Sequence, residues 1–324
     1  MRIFVTGATG FVGKALVAQL VAEGHEVIAA VRKHSAELPE EVEQIVVGDL
    51  SLLDEQNTII NTLKNIDVVT HTAARVHIMQ DNATDPLTEF RKLNVNATIE
   101  LAGQAAKAGV KRFIFLSSIK VNGESTNNRE AFTETDEPKP EDDYGQSKFE
   151  AEQALFELTK SSSMEVVIIR PPLVYGPGVK ANFACMIKII KKGLPLPFGS
   201  VSNQRSMLAI DNLVDFITLC MTPPAAANQV FLIADGKDIS TTDLLKKIAK
   251  AYQRPPRLIP VPIAWMIFFA KLAGKQNITD RLFGNLQINI NKSNQLLGWQ
   301  PVTSMEQQLN KMAELDRNST FVKH

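Results

Sequence analysis

The chain opens on RIFVT (2–6), a short β-branched and apolar run. Thr6-Gly7-Ala8-Thr9-Gly10-Phe11-Val12-Gly13 follows at once, and then a helical pattern that reaches Glu23 before Gly24. Strand, glycine turn and helix in that order restrict what such a chain can become. The glycines let the backbone turn tightly and approach a pyrophosphate, whose charge then rests on the N-terminus of the helix. A Gly-x-x-Gly-x-x-Gly string elsewhere would carry little weight, but here its whole structural context is in place. Thr6, Gly7, Gly10, Phe11, Val12 and Gly13 are therefore candidate dinucleotide-binding residues.

The rest of the first half repeats the alternation. HEVIAAV (25–31), EQIVVG (43–48), DVVTHTA (67–73), RFIFLSS (112–118) and EVVIIR (165–170) are short apolar runs, separated by helical periodicity such as 54–64, 86–108 and 145–160. Continuous apolar strands alternating with helices predict an α/β fold, a doubly wound, parallel, Rossmann-like sheet buried on both faces. After Arg170 prolines and glycines crowd in, at PPLVYGPG (171–178), GLPLPFG (193–199) and RPPRLIPVP (254–262). We expect residues 1–170 to form the nucleotide-binding domain and 171–324 to be mainly a smaller, interleaved substrate lobe. VFLIAD (230–235) is expected to extend the main sheet. Val121 to Asp143 reads as a long polar loop serving a site.

Composition narrows the partners. Lys+Arg and Asp+Glu are both 35, so no global field draws the chain to nucleic acid. Cys185 and Cys220 sit in apolar helical patterns with no second Cys or His at metal spacing; we read them as buried, reduced thiols and expect no metal. The N-terminus lacks the basic and long apolar regions of a signal peptide, which with the reduced thiols predicts a cytoplasmic protein. The apolar run Ile263 to Ala270 is too short to span a bilayer. Trp265, Phe268, Phe269 and Leu272 make one stripe, expected to pack on the core of the lobe, with a membrane-surface or substrate-tail contact as the alternative.

Two further places carry chemistry. The end of the second strand, where NAD binders normally place an acid for the adenosine ribose, reads Val31-Arg32-Lys33. With no acid to repel a 2′-phosphate and two cations to pair with it, NADP(H) is favoured over NAD(H). Asp49-Leu50 stands where the next strand end can reach the adenine. In Tyr144-Gly-Gln-Ser-Lys148, positions i and i+4 share a helix face, so the Lys148 ammonium favours the ionised Tyr144 phenol, a poor base at its ordinary pKa near 10. Ser117-Ser118 ends the preceding strand, where ligands bind in open α/β sheets, and a hydroxyl there can hold a substrate oxygen while the tyrosine exchanges the proton.

These motifs resemble the extended short-chain dehydrogenases/reductases, in their nucleotide-sugar epimerase, dehydratase and reductase branch, over nearly the whole chain. TGATGFVG (6–13) matches the glycine loop, HTAARVH (71–77) the fourth-strand motif, Asn94 the structural asparagine and YGQSK (144–148) the catalytic helix. The resemblance implies a Ser118–Tyr144–Lys148 catalytic set, with Thr72, Ala73, Ala74, Asn94, Ser117, Pro171 and Leu173 along the cofactor. Asn122 stands where the family has a tyrosine, in the sugar pocket. Asn182 and Arg205 match positions that contact a nucleotide diphosphate, and a guanidinium binds such a group bidentately.

The resemblance implies action at C4 of a hexose on a nucleotide sugar, most simply a UDP-hexose, by a homodimer paired through a four-helix contact that includes 145–160. Dehydratases carry an acidic pair near the serine, and Ser118-Ile119-Lys120 has none. Between the remaining activities, Arg32-Lys33 tilts the expectation toward a 4-keto-sugar reductase of surface-polysaccharide precursor synthesis that consumes NADPH. The alternative is a UDP-glucose or UDP-N-acetylhexosamine 4-epimerase that retains NAD. A dihydroflavonol- or hydroxysteroid-type ketone reductase and a non-catalytic NADP-binding protein stand behind these.

Overall fold

A computed structural model of the chain describes residues 1–53, 59–76, 85–272 and 282–321. Its main sheet has seven parallel strands: β1 (Arg2–Thr6), β2 (Glu26–Val31), β3 (Glu43–Val46), β4 (Val68–His71), β5 (Arg112–Leu116), β6 (Glu165–Arg170) and β9 (Gln229–Leu232). They lie in the order β3-β2-β1-β4-β5-β6-β9, so the winding reverses between β1 and β4. That reversal opens a crevice at the carboxyl ends of the two strands, where ligands bind in such sheets. β9 pairs with β6 in parallel, so the expected 230–235 strand does extend the sheet.

The alternation of side chains explains why both faces are buried. Ile3 and Val5 point into one core with Leu16, Leu213 and Phe216, whereas Phe4 points into the other with Leu101, Phe113 and Phe115. Helices α1 (Phe11–Ala22) and α7 (Ile210–Leu219) supply the first layer. The opposite layer is α2 (Ile60–Leu63), α4 (Ala97–Ala108) and α5 (Asp143–Thr159). α3 (Pro86–Arg91) runs into α4 through a π-helical turn, Lys92–Asn96. The part of the expected 54–64 helix before Ile59 lies outside the described residues, as does His77 of the fourth-strand motif.

A second, two-stranded sheet pairs β7 (Leu173–Tyr175) with β8 (Met207–Ala209) and leads into the lobe. Tyr175, Phe183, Leu245, Ile248 and Leu309 form a separate core there. It is built on α6 (Ala181–Lys191), α8 (Thr241–Ala251) and the last helix, α11 (Met305–Phe321), while α10 (Asn291–Leu297) packs on β9. Lobe and sheet interlock through Asp235, whose carboxylate accepts from Tyr175 Oη at 2.6 Å, Ala209 N at 2.8 Å and Asn212 Nδ2 at 2.7 Å.

Two expectations are corrected. Cys220 is buried, but Cys185 is exposed on α6. The 263–272 stretch does form a helix, α9 (Ile263–Leu272), yet three members of its stripe are turned to solvent: Trp265 and Phe268 are each 60% exposed and Leu272 78%, while the Phe269 side chain lies outside what the structure describes. The prolines at 260 and 262 set α9 off from the lobe, a tertiary arrangement that apolar periodicity does not report.

The glycine turn depends on close approach. Gly7 has φ +68°, and a Cβ on Gly13 would lie 2.1 Å from the Gly7 carbonyl oxygen, a backbone atom with no room to yield. Gly13→Ala is expected to lower the thermal midpoint by several degrees, in line with a cost of about 1–3 kcal/mol for overpacking. An unchanged midpoint would contradict this packing.

Candidate active site

The crevice is built by the ends of β1 and β4. Thr72 Oγ1 donates to the Thr6 carbonyl at 2.7 Å, and a Cβ on Gly7 would meet Ala73 N at 2.6 Å, so the two loops lie against each other with no side chain between them. Gly10 caps α1 without a side chain, leaving the first N–H groups of a 12-residue helix directed at the crevice. Such a cradle, narrow enough to exclude a Cβ and lined by backbone donors, fits a dinucleotide pyrophosphate. Of the expected residues, Thr6, Gly7, Thr72 and Ala73 make these close contacts, Gly10 caps the helix, and Gly13 is buried against Gly7. Arg32 and Lys33 are exposed beyond β2. Asp49 caps the turn that follows β3, and its acidity is strengthened by the Ser51 amide and hydroxyl and by Arg32 nearby, whereas Leu50 is buried beneath it.

Two caps tie the turn that carries Ser118 to the helix that carries Tyr144 and Lys148. Ser118 caps the short turn Ile119–Val121, its Oγ accepting from Lys120 N at 3.2 Å, and is half-buried. Asp142 caps α5 through Gly145 N at 2.7 Å, and Lys120 Nζ bonds both Asp142 and Glu124, tying the serine turn to the start of the tyrosine helix. Gly145 is required there: a Cβ would stand 2.8 Å from the Lys120 carbonyl oxygen.

Lys148 is buried, donates from Nζ to the Leu116 carbonyl at 2.9 Å and lies 4.3 Å from the Phe115 ring centroid. Burial lowers its pKa to about 7, against the raising influence of Glu152. The half-buried Tyr144 is pushed above its ordinary value, by desolvation first and by the Asp142 carboxylate second. Its ring packs edge-on to Phe90 at 6.1 Å.

Behind these residues lies a polar network that the sequence reading missed. Glu152 and Arg170 form a buried ion pair, Arg170 Nε to Glu152 Oε1 at 3.0 Å, and Ser117 Oγ donates to the same carboxylate. Arg170 also donates to Asn122 Oδ1 at 2.9 Å, while Asn122 Nδ2 donates to the Thr133 carbonyl at 2.9 Å. Glu152 falls one helical turn after Lys148, and that spacing is the one signal that could have revealed it. His71, at the end of β4, was also missed. Thr6 and Thr98 bond its two ring nitrogens, and burial first, then Lys148, lowers its pKa to about 3.

Several of the expected site residues bond protein groups. Asn122 is buried with both ends of its amide engaged by protein, which braces the polar loop. Asn94 accepts from Arg75 N and donates to the Arg75 carbonyl and Ser147 Oγ, all within 3.0 Å. It pins the loop after β4 to α5. Ser117 likewise spends its hydroxyl on Glu152. Pro171 and Leu173 follow β6 as expected, Leu173 half exposed, while Asn182 is exposed in the first turn of α6. Arg205 donates to the Gly284 carbonyl at 3.0 Å and pairs its backbone with Ile239.

The model of the NAD dependent epimerase/dehydratase family matches residues 3–234. The chain belongs to that family. Among its members, a UDP-glucose 4-epimerase from Vibrio cholerae is 47% identical over 313 residues, 96% of this chain and 94% of the relative. The fold is also that of a solved UDP-glucose 4-epimerase from Thermotoga maritima, described with UDP-glucose (TM-score 0.78, 24% identity, 99% of this chain and all of the other). It is shared by a UDP-glucuronic acid 4-epimerase from Bacillus cereus, described with NAD (TM-score 0.77, 22% identity, 97% and 96%). The likeness to the Vibrio enzyme overturns the tilt toward a 4-keto-sugar reductase. That tilt rested on Arg32 and Lys33, which lie exposed just beyond β2 and report nothing about the fate of a sugar carbon.

Lys148 yields a signed prediction. Between pH 7 and 10.5 the unfolded chain holds the Lys148 proton and the fold does not, so this residue makes stability rise with pH across that window, by at most about 1.4 kcal/mol per unit. In urea titrations at pH 7 and pH 9, Lys148→Met is expected to lack this rise, so the wild type gains on the variant as pH increases. A pH-independent difference would contradict the depressed value.

Proposed function

We propose that the chain is a UDP-hexose 4-epimerase, converting UDP-glucose to its C4 epimer and back. The observation that carries this reading is the 47% identity to the Vibrio enzyme across 96% of the chain. Residues 1–170 then hold the dinucleotide and 171–324 mainly the nucleotide sugar, with Asn182 and Arg205 at its diphosphate.

A nicotinamide dinucleotide held at the Gly7–Gly13 turn would supply reversible hydride chemistry at C4 of the sugar. The side chains manage the proton. Ser118 Oγ donates a hydrogen bond to the C4 oxygen, and Tyr144 Oη accepts the C4 hydroxyl proton and later gives it back. A desolvated phenol beside Asp142 is a reluctant base, so the reaction needs compensating positive charge. Lys148 supplies it from the same helix face while it holds its proton, which burial loosens and Glu152 helps to retain. His71, neutral throughout the physiological range, adds no competing cation.

The preference for NADP(H) over NAD(H) rests on Arg32 and Lys33 alone, and the dinucleotide released on denaturation reads it: a 2′-phosphorylated species supports it, and NAD overturns it. Homodimerisation through α4 and α5 and a cytoplasmic setting belong to the same reading, the latter supported by two unpaired thiols.

The purified protein is expected to convert UDP-galactose to UDP-glucose with no added reductant. Tyr144→Phe should reduce turnover by at least roughly a hundredfold while leaving the dinucleotide bound. Full activity in that variant, or turnover only with stoichiometric NADPH, would overturn the proposal.

A further inference from the structure

Helix α9 holds large apolar side chains in solvent, with Trp265, Phe268 and Leu272 between 60% and 78% exposed. Water-facing aromatic and leucine side chains at helical spacing mark an interaction surface. The chemistry of the surroundings identifies the partner. Residues 253–272 include Arg254, Arg257 and Lys271 and no Asp or Glu. A backbone bridge, Leu196 N to Arg257 O at 2.9 Å and Ile259 N to Leu196 O at 2.8 Å, lays the loop after α6 against this stretch. It brings up two more half-exposed apolar side chains, Leu194 and Ile259. Arg254 also lines a cavity of about 680 Å³ with Lys188 and Lys192 of the α6 end, and none of these three cations has a side-chain partner among the described residues. In a chain whose charges balance overall, residues 253–272 thus carry three cations, no acid and the exposed apolar side chains of α9, while the cavity beside Arg254 adds the Lys191–Asp316 pair.

We propose that this face docks on an anionic lipid surface, the α9 aromatic and leucine side chains entering the boundary between headgroups and acyl chains and the cations meeting headgroup phosphates. Trp and Phe on one face with Lys and Arg around them is the composition of a helix lying in a membrane interface. α9, at ten residues, lies on the bilayer and does not cross it, and no described helix is long and apolar enough to cross. The contact is peripheral and independent of which sugar the crevice turns over. It sets the substrate lobe at the bilayer, because the chain beyond α9 returns at Leu282–Gly284 to bond Asn203 and Arg205.

The test uses the full chain with vesicles of phosphatidylcholine alone or mixed with equal phosphatidylglycerol. The sequence has two tryptophans, and Trp299 is buried, so a shift in emission reports Trp265. Expected results are sedimentation with the phosphatidylglycerol vesicles, a blue shift on mixing and release by high salt. Trp265→Glu with Phe268→Glu should abolish binding, and Lys192→Glu with Arg254→Glu should weaken it roughly tenfold or more, given about 1 kcal/mol per surface cation. UDP-sugar turnover is expected to survive in both double variants, which establishes that they fold. Absence of sedimentation, equal binding to neutral vesicles, or binding retained after Trp265→Glu and Phe268→Glu would overturn the proposal. So would a wild-type oligomer that the α9 variant converts to monomers without any vesicle binding, since a second copy would then be the occupant.

Discussion

Glu152 and Arg170 meet inside the protein with almost no water around them, and the active-site edge is organised about that contact. A buried carboxylate and guanidinium are tolerated when each has its partners: here Ser117, Asn122 and the ion pair itself satisfy them. Removing either charge would leave the other desolvated, at a cost of about 3–5 kcal/mol. The pair joins the ends of β5 and β6 to α5. Ser118 follows directly from β5, Tyr144 and Lys148 lie on α5, and the segment toward the sugar leaves from β6, so one electrostatic contact fixes the mutual geometry of all three. It also places a negative charge one helical turn from Lys148, opposing the burial that drains the lysine of its proton.

The elements that position the cofactor were legible because each follows from a local rule. Short continuous apolar runs alternating with helical periodicity pointed to a parallel sheet buried on both faces, and the glycine turn announced itself by its place between strand and helix. The catalytic tyrosine and lysine were legible through their i, i+4 spacing. What escaped was non-local. Nothing in the neighbourhood of Asn122 or Asn94 shows that Arg170, 48 residues on, or the loop after β4 consumes their amides. The exposure of α9 escaped for the same reason: an apolar stripe shows which face is greasy, and only tertiary structure shows whether anything lies against it.

Charge illustrates the difference between a total and a placement. Equal numbers of acids and bases exclude a globally basic surface, yet single positive groups such as the N-terminus of α1 and the buried Lys148 stand at particular places in the fold. The same Ser–Tyr–Lys set can serve a one-way reduction or a reversible epimerisation, because the proton chemistry is identical and only the fate of the hydride differs. The cations at the end of β2 therefore could not decide between them, and the identity to a 4-epimerase along nearly the whole chain favours the second.

That fate is directly measurable. UDP-glucose carrying deuterium at C4, incubated with the purified protein in ordinary water, is predicted to give a C4 epimer that keeps the label at C4, since the hydride leaves and returns within one closed crevice. Loss of the deuterium to solvent, or its appearance in added free dinucleotide at the rate of turnover, would contradict the account.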